Sequence, residues 1–120
     1  MSDATSRPSP DGPERPATFH RFSARFPEVT ATHATLGAVT DAAGPLDGRD
    51  RELVKIGICV GAGLESATRS HVRRALALGV TPAEVEHAVL QAMTTLGFSP
   101  TVRGWVWATE QIEASERDAR

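Results

Sequence analysis

One cysteine in 120 residues is too few for an internal disulfide or a cysteine-based zinc cluster, and such scarcity suits a reducing compartment. A surplus of one charge sign is also missing: 13 basic residues against 15 acidic ones give a formal net charge of -2. No overall field therefore recruits nucleic acid or an anionic membrane. Long apolar runs are absent as well. No stretch approaches the roughly 20 apolar residues of a membrane span, and the opening MSDATSRPSPDGPERPAT lacks the apolar core of a signal peptide. The expectation is a cytoplasmic protein with neither nucleic acid nor membrane among its partners. Strand-like alternation of apolar and polar residues is missing too, so the fold class expected is all-α.

What is present reads as a short tail followed by one helical domain. Residues 1–17 place Pro8, Pro10, Pro13 and Pro16 among Ser, Asp, Gly and Arg, with almost nothing apolar to bury, and read as a disordered tail. Residues 18–120 form the single domain. Phe19, Phe22 and Phe26 fall three and four apart, which is the spacing of an amphipathic helical turn. Pro27 opens a second helix running to about Ala43, with Val29, Leu36 and Val39 as its apolar anchors. Asp47 caps a third helix to about Ala62, stopped by Gly63, with Leu53, Ile56, Gly57 and Val60 as its stripe.

A fourth helix spans about Ser66 to Leu78, with Ser66 as its cap and Val72, Ala75 and Leu76 pointing inward. Thr81, Pro82 and Glu84 spell a capping box for a fifth, whose inner face is Val85, Ala88, Val89, Ala92 and Leu96. Ser99 and Pro100 repeat the start signal for a last helix bearing Val102, Trp105, Val106, Ala108 and Ile112. The sum is a bundle of about six helices. The fifth and sixth are apolar on more than one side, which implies oligomerisation.

Two residues carry the candidate chemistry. Glu52 stands in the first turn of the third helix and His71 one and a half turns into the fourth. A carboxylate that orients an imidazole is the arrangement of acid and base catalysis, because histidine titrates near neutrality. The residues alone leave a bland alternative open, in which Glu52 favours a helix dipole and His71 is a satisfied histidine at the core edge. Axial distance argues for the alternative: Glu52 lies ~17 Å from the Gly63 turn and His71 ~12 Å, a mismatch of about one turn that a kink or a water would have to close. Glu84 and His87 form an E-x-x-H pair, the spacing of di-iron bundles. No second pair exists, so no metal site is expected. His20 and His33 lack ligand spacing, and Cys59 reads as a small buried hydrophobe.

The run LDGRDRELVKIGICVGAGLESATRSHVRRALALGVTPAEVEHAVLQAMTTLGFSPTVRGW, Leu46 to Trp105, resembles the carboxymuconolactone decarboxylase and alkylhydroperoxidase D-like superfamily. The matching features are REL with Glu52, SHVRRAL with His71, the entry GVTPAEVEHAV, and Gly97, Phe98 and Pro100. The redox branch carries two cysteines three apart, with a histidine between them, ahead of the histidine that corresponds to His71. Those positions correspond here to Leu64, Ala67 and Ser66, so thiol peroxidase chemistry is not expected. The resemblance is closer to the cysteine-less decarboxylase branch, which acts on a lactone bearing carboxylates, loses carbon dioxide and relocates a double bond.

That resemblance implies His71 and Glu52 as the catalytic residues, with no cofactor. Arg69, Arg73, Arg74, Arg103 and Ser66 become candidates for holding a small anionic organic substrate. It also implies a homo-oligomer, trimer or hexamer. GFSP carries one residue more than the GFP usual in the family, so the loop there is expected to differ. The rival expectation is a non-catalytic binding or scaffold protein of the same fold.

Overall fold

The computed structural model describes residues 16–120, and among them all regular structure is helical. In chain order the helices are α1 (Ala17–Arg25), α2 (Pro27–Ala42), α3 (Gly48–Ala62), α4 (Glu65–Ala77), α5 (Pro82–Leu90), α6 (Met93–Leu96) and α7 (Phe98–Asp118). The tail expected over residues 1–17 lies outside the described residues up to position 15; Pro16 is the N-cap of α1 and Ala17 its first helical residue.

The body is built from α3, α4, α5 and α7. α3 and α4 pack along one another, and the long α7 lies against α4 and α5. Ile56 and Val60 of α3, Val72 and Ala75 of α4, Val85 and Val89 of α5, and Ala108 and Ile112 of α7 make one core, completed by Val80. Burying each of the larger aliphatic side chains stabilises the fold by about 1.5–3 kcal/mol.

Local signals set most of the boundaries. Asp47 caps α3 by accepting from the Asp50 amide at 2.9 Å. α3 stops in a Schellman turn: Leu64 N–H donates to Cys59 C=O and Gly63 N–H to Val60 C=O, with Gly63 left-handed at φ 70°. α4 ends the same way through Gly79 and Val80. Thr81 and Glu84 form the full capping box at the start of α5.

Five expectations are corrected. α4 begins at Glu65 with extended Leu64 as its N-cap, so Ser66 lies inside the first turn and caps nothing. The fifth helix does not run through to Leu96; it breaks at Gln91 and Ala92, and a single turn, α6, follows. α7 starts at Phe98 because Gly97 adopts φ 93°, ψ -179°, a conformation only glycine takes readily. Its inner stripe is therefore Thr101, Gly104, Ala108 and Ile112, leaving Trp105 and Val106 part-exposed. Gly57 faces outward rather than into the α3 stripe, whose buried members are Glu52, Ile56, Cys59 and Val60.

The fifth correction concerns α2. Its expected anchors Val29, Leu36 and Val39 are 57%, 60% and 63% exposed, and α1 and α2 bury no residue at all. Asp41 of α2 is tied to α3 by pairing with Lys55 at 3.4 Å and Arg51 at 3.5 Å.

Glu84 gives the fold a measurable pH dependence. The Thr81 backbone N–H, and after it Arg49 at 2.6 Å, hold its carboxyl below the usual carboxylate range. A depressed carboxyl contributes stability that is present above its unfolded pKa and lost as pH falls through the folded one. The urea midpoints of the wild type and Glu84→Gln are thus expected to differ near neutrality and to converge below the carboxylate range. A gap that persisted in acid would contradict this.

Candidate active site

The α3–α4 hairpin turns on Gly63 and Leu64 alone, and this places the inner faces of the two helices side by side. Across them His71 Nδ1 lies 2.7 Å from Glu52 Oε1. The expected one-turn mismatch is absent, and neither a kink nor a water is needed. The left-handed Gly63 and the extended Leu64, and not rise per residue alone, set the register of α4 against α3.

Both side chains are largely withdrawn from solvent, at 17% exposure for His71 and 10% for Glu52. An ionised carboxylate only accepts hydrogen bonds, so Nδ1 carries the proton and the ring presents Nε2 as its second functional atom. Below the pair on α3, Cys59 is buried and free. Burial pushes its thiol pKa up, the Glu52 carboxylate adds to the rise, and Lys55 partly opposes it. A thiol so disposed is protonated at neutral pH, the reverse of a peroxidatic cysteine.

The arginines divide. Arg69 is committed to tying α4 to α7: its guanidinium reaches Glu65 at 2.9 Å and Glu110 at 2.8 Å. The Glu110 hydrogen bond, against an opposing cost of burial and with the Glu65 bond added, raises its pKa further. Arg73 is partly buried and donates to Ser70 Oγ at 3.4 Å. Arg74 is partly buried as well, and desolvation lowers its pKa. Arg103 stacks over Trp107 at 5.1 Å, with its guanidinium resting on Gly63 at the hairpin turn. Ser66 is exposed in the first turn of α4, near the same turn in sequence.

Glu84 is engaged by Thr81 and Arg49. Among the described residues no three His, Cys, Asp or Glu side chains converge as metal ligands would. One buried polar group was not singled out by sequence. Thr68, three residues before His71, is fully buried and its hydroxyl has no hydrogen-bond partner. A threonine on a helix carries no spacing signal that would have revealed it.

Two apolar grooves mark the surface. The first, of about 290 Å³, runs between α3 and α5 over Gly57, Gly61, Ala88 and Ala92. The second, of about 430 Å³, is walled by Trp105, Leu90, Met93 and Val102, with the Trp105 indole held by its N–H donating to Glu86 at 2.8 Å. Neither is lined by His71 or Glu52.

An all-α body with a His–Glu pair bridging a tight helical hairpin defines the class. The chain belongs to the Carboxymuconolactone decarboxylase family, whose profile matches residues 27–110. No curated relative and no solved structure matches it. No helix of the described residues is long and apolar enough to cross a membrane.

Proposed function

We propose that this protein performs cofactor-independent acid and base chemistry, a decarboxylation or isomerisation of a small carboxylate or lactone, as a carboxy-lyase-like enzyme and not a thiol peroxidase. The 2.7 Å contact between His71 Nδ1 and Glu52 carries the reading. It fixes the ring and its tautomer, leaves Nε2 to exchange a proton, and sets a counter-charge beside the ring whenever Nε2 is protonated.

On an unsaturated lactone bearing a carboxylate, the bond from ring carbon to carboxylate breaks and carbon dioxide leaves. The released pair moves through the adjacent double bond onto the lactone carbonyl. Nε2 then delivers a proton to the carbon beside that carbonyl, and the double bond ends one position away. The carbonyl is itself the electron acceptor, so the step calls for no cofactor. Arg103 at the hairpin turn, Arg73 and Arg74 on α4, and Ser66 are the candidates to hold the carboxylate. Arg69 has Glu65 and Glu110 to satisfy first. In the same reading the protein is cytoplasmic and works as a homo-oligomer, trimer or hexamer.

The rival, a non-catalytic binding or scaffold protein, draws on Leu64, Ser66 and Ala67, which bring no reactive group, and on grooves that lie away from the pair. Incubation with carboxymuconolactone in D₂O, followed by NMR, separates the two. Release of carbon dioxide with one deuterium beside the lactone carbonyl is the expected result. No release above the buffer control would move the scaffold reading ahead.

A further inference from the structure

One buried polar group plays no part in the chemistry described so far. Thr68 is fully buried, and its hydroxyl has no hydrogen-bond partner. On a helix the usual outlet for such a hydroxyl is the carbonyl four residues back. Thr30, Thr35, Thr101 and Thr109 all take it, at 3.1, 3.1, 2.8 and 2.9 Å, and Thr101 is the other threonine buried among the described residues. Thr68 does not, although the Leu64 carbonyl stands in that position and accepts its backbone N–H at 2.9 Å. Valine would fill the same space with no polar atom to satisfy, so stability does not account for a threonine here.

α4 sets this hydroxyl one turn from the catalytic pair. Residues three apart are neighbours on a helix face, and helical side chains lean toward the N-terminus, which carries the His71 imidazole back over the turn that holds Thr68. Glu52 fixes Nδ1 at 2.7 Å, and among the described residues Nε2 makes no hydrogen bond. Nε2 is the atom that gains a proton when the ring becomes charged. With His71 only 17% exposed, that second N–H calls for an acceptor inside the protein. The strong acceptors on the helices packed against α4 are committed elsewhere. On α3 Glu52 serves Nδ1, Lys55 is a cation and the Cys59 thiol accepts only weakly. On α7 Glu110 is held by Arg69, and on α5 Glu84 and Glu86 are held by Arg49 and the Trp105 indole. Arg73, Arg74 and Arg103 bring donors alone.

We propose that Thr68 is a positioning residue for the catalytic pair, its hydroxyl accepting the Nε2–H of His71 when the ring is protonated and releasing it when substrate arrives. The charged ring is then held at both nitrogens, Nδ1 by Glu52 across the hairpin and Nε2 by Thr68 on its own helix. In the resting structure this contact is open, as hydrogen bonds of a catalytic site often are before the working complex forms. A neutral hydroxyl suits the task because it orients the ring without binding the proton as firmly as a second carboxylate would. Since the contact serves the charged ring, it lets His71 keep its second proton to higher pH. The proposal deepens the acid and base reading above and rests on it for its kinetic consequence, whereas its effect on the ring requires no substrate.

The test compares the wild type with Thr68→Val, which keeps the shape and loses the hydroxyl, and Thr68→Ser, which keeps the hydroxyl, all in the full chain. The ring titration is followed by proton NMR, with the His71 signal identified by its loss in His71→Gln. Its midpoint is expected to move to lower pH by roughly 0.5–1 unit in Thr68→Val and to return in Thr68→Ser. Thermal unfolding of Thr68→Val is expected at or above the wild-type temperature, because an unmet hydroxyl has been removed. With carboxymuconolactone as substrate, kcat of Thr68→Val is expected to fall by about 3–10-fold with KM kept, and serine to restore it. An unchanged midpoint in Thr68→Val would overturn the proposal, and so would a shift that serine leaves uncorrected. Thr68→Ala, which also lacks the hydroxyl, repeats the titration should the valine variant not fold. A shifted midpoint in a protein whose wild type has no turnover would uphold the contact and remove the acid and base reading alone.

Discussion

Replacing His71 by glutamine is expected to leave the helical fold in place and to lower turnover of a carboxylate-bearing lactone by about 10²–10⁴-fold, the usual contribution of a positioned acid or base. Glutamine suits the test because its amide N–H can still donate to Glu52, so the carboxylate is not stranded in its partly buried setting. What it lacks is a group that takes up and returns a proton near neutrality. Glu52→Gln makes the complementary change. It keeps the volume but removes the anion that fixes the Nδ1 proton, and a smaller loss in kcat with an altered pH profile is expected, as for a positioning residue. Melting curves and single-turnover rates on both variants give the comparison. Full activity in a pure, folded His71→Gln protein would sink the catalytic assignment.

Gly104→Ala is expected to destabilise the protein by about 1–3 kcal/mol, although it adds one methyl group to a residue with no obvious role in the sequence. Gly104 is buried in α7, and a Cβ built on it would meet Val60 Cγ1 at 2.7 Å and Cγ2 at 2.9 Å. Val60 cannot step aside: it is fully buried and β-branched, with its χ1 held by the helix. α7 must then move off α3, loosening the contacts of Ala108 and Ile112. This penalty exceeds the gain that alanine brings to a helix interior. Urea denaturation supplies the value, and a double cycle with Val60→Ala locates it. Truncating Val60 should return part of the loss when Gly104 is alanine, giving a coupling of about 0.5 kcal/mol or more. Strict additivity would show that the strain lies elsewhere.

The features legible in the sequence are those whose cause is local. Asp47 three residues before the amide it caps, Gly63 and Gly79 at left-handed stops, and Thr81 with Glu84 all act within one turn, and the structure has each in place. The break between α5 and α6 carries no such mark, since Gln91, Ala92 and Met93 are good helix formers and the interruption belongs to tertiary packing. Periodicity identified α2 as a helix but could not say what its apolar residues face. For the candidate site, both Glu52 and His71 were legible as residue types in a family-like setting. Their register was not, because it depends on how Gly63 and Leu64 join the helices. Arg69 shows the same division: Glu65, four residues away, could be paired with it on paper, whereas Glu110, 41 residues away, could not.

The two-residue turn between α3 and α4 also bears on the order in which the molecule comes together. Glu52 and His71 are only 19 positions apart, and the span between them is two helices hinged at one point. Loop-closure entropy rises with the logarithm of the span, so joining this pair costs the chain less than joining Arg69 to Glu110 across 41 positions. Proteins rich in such local pairings fold fast. The imidazole and its carboxylate thus belong to one hairpin, whose closure costs the chain less entropy than the tie from α4 to α7.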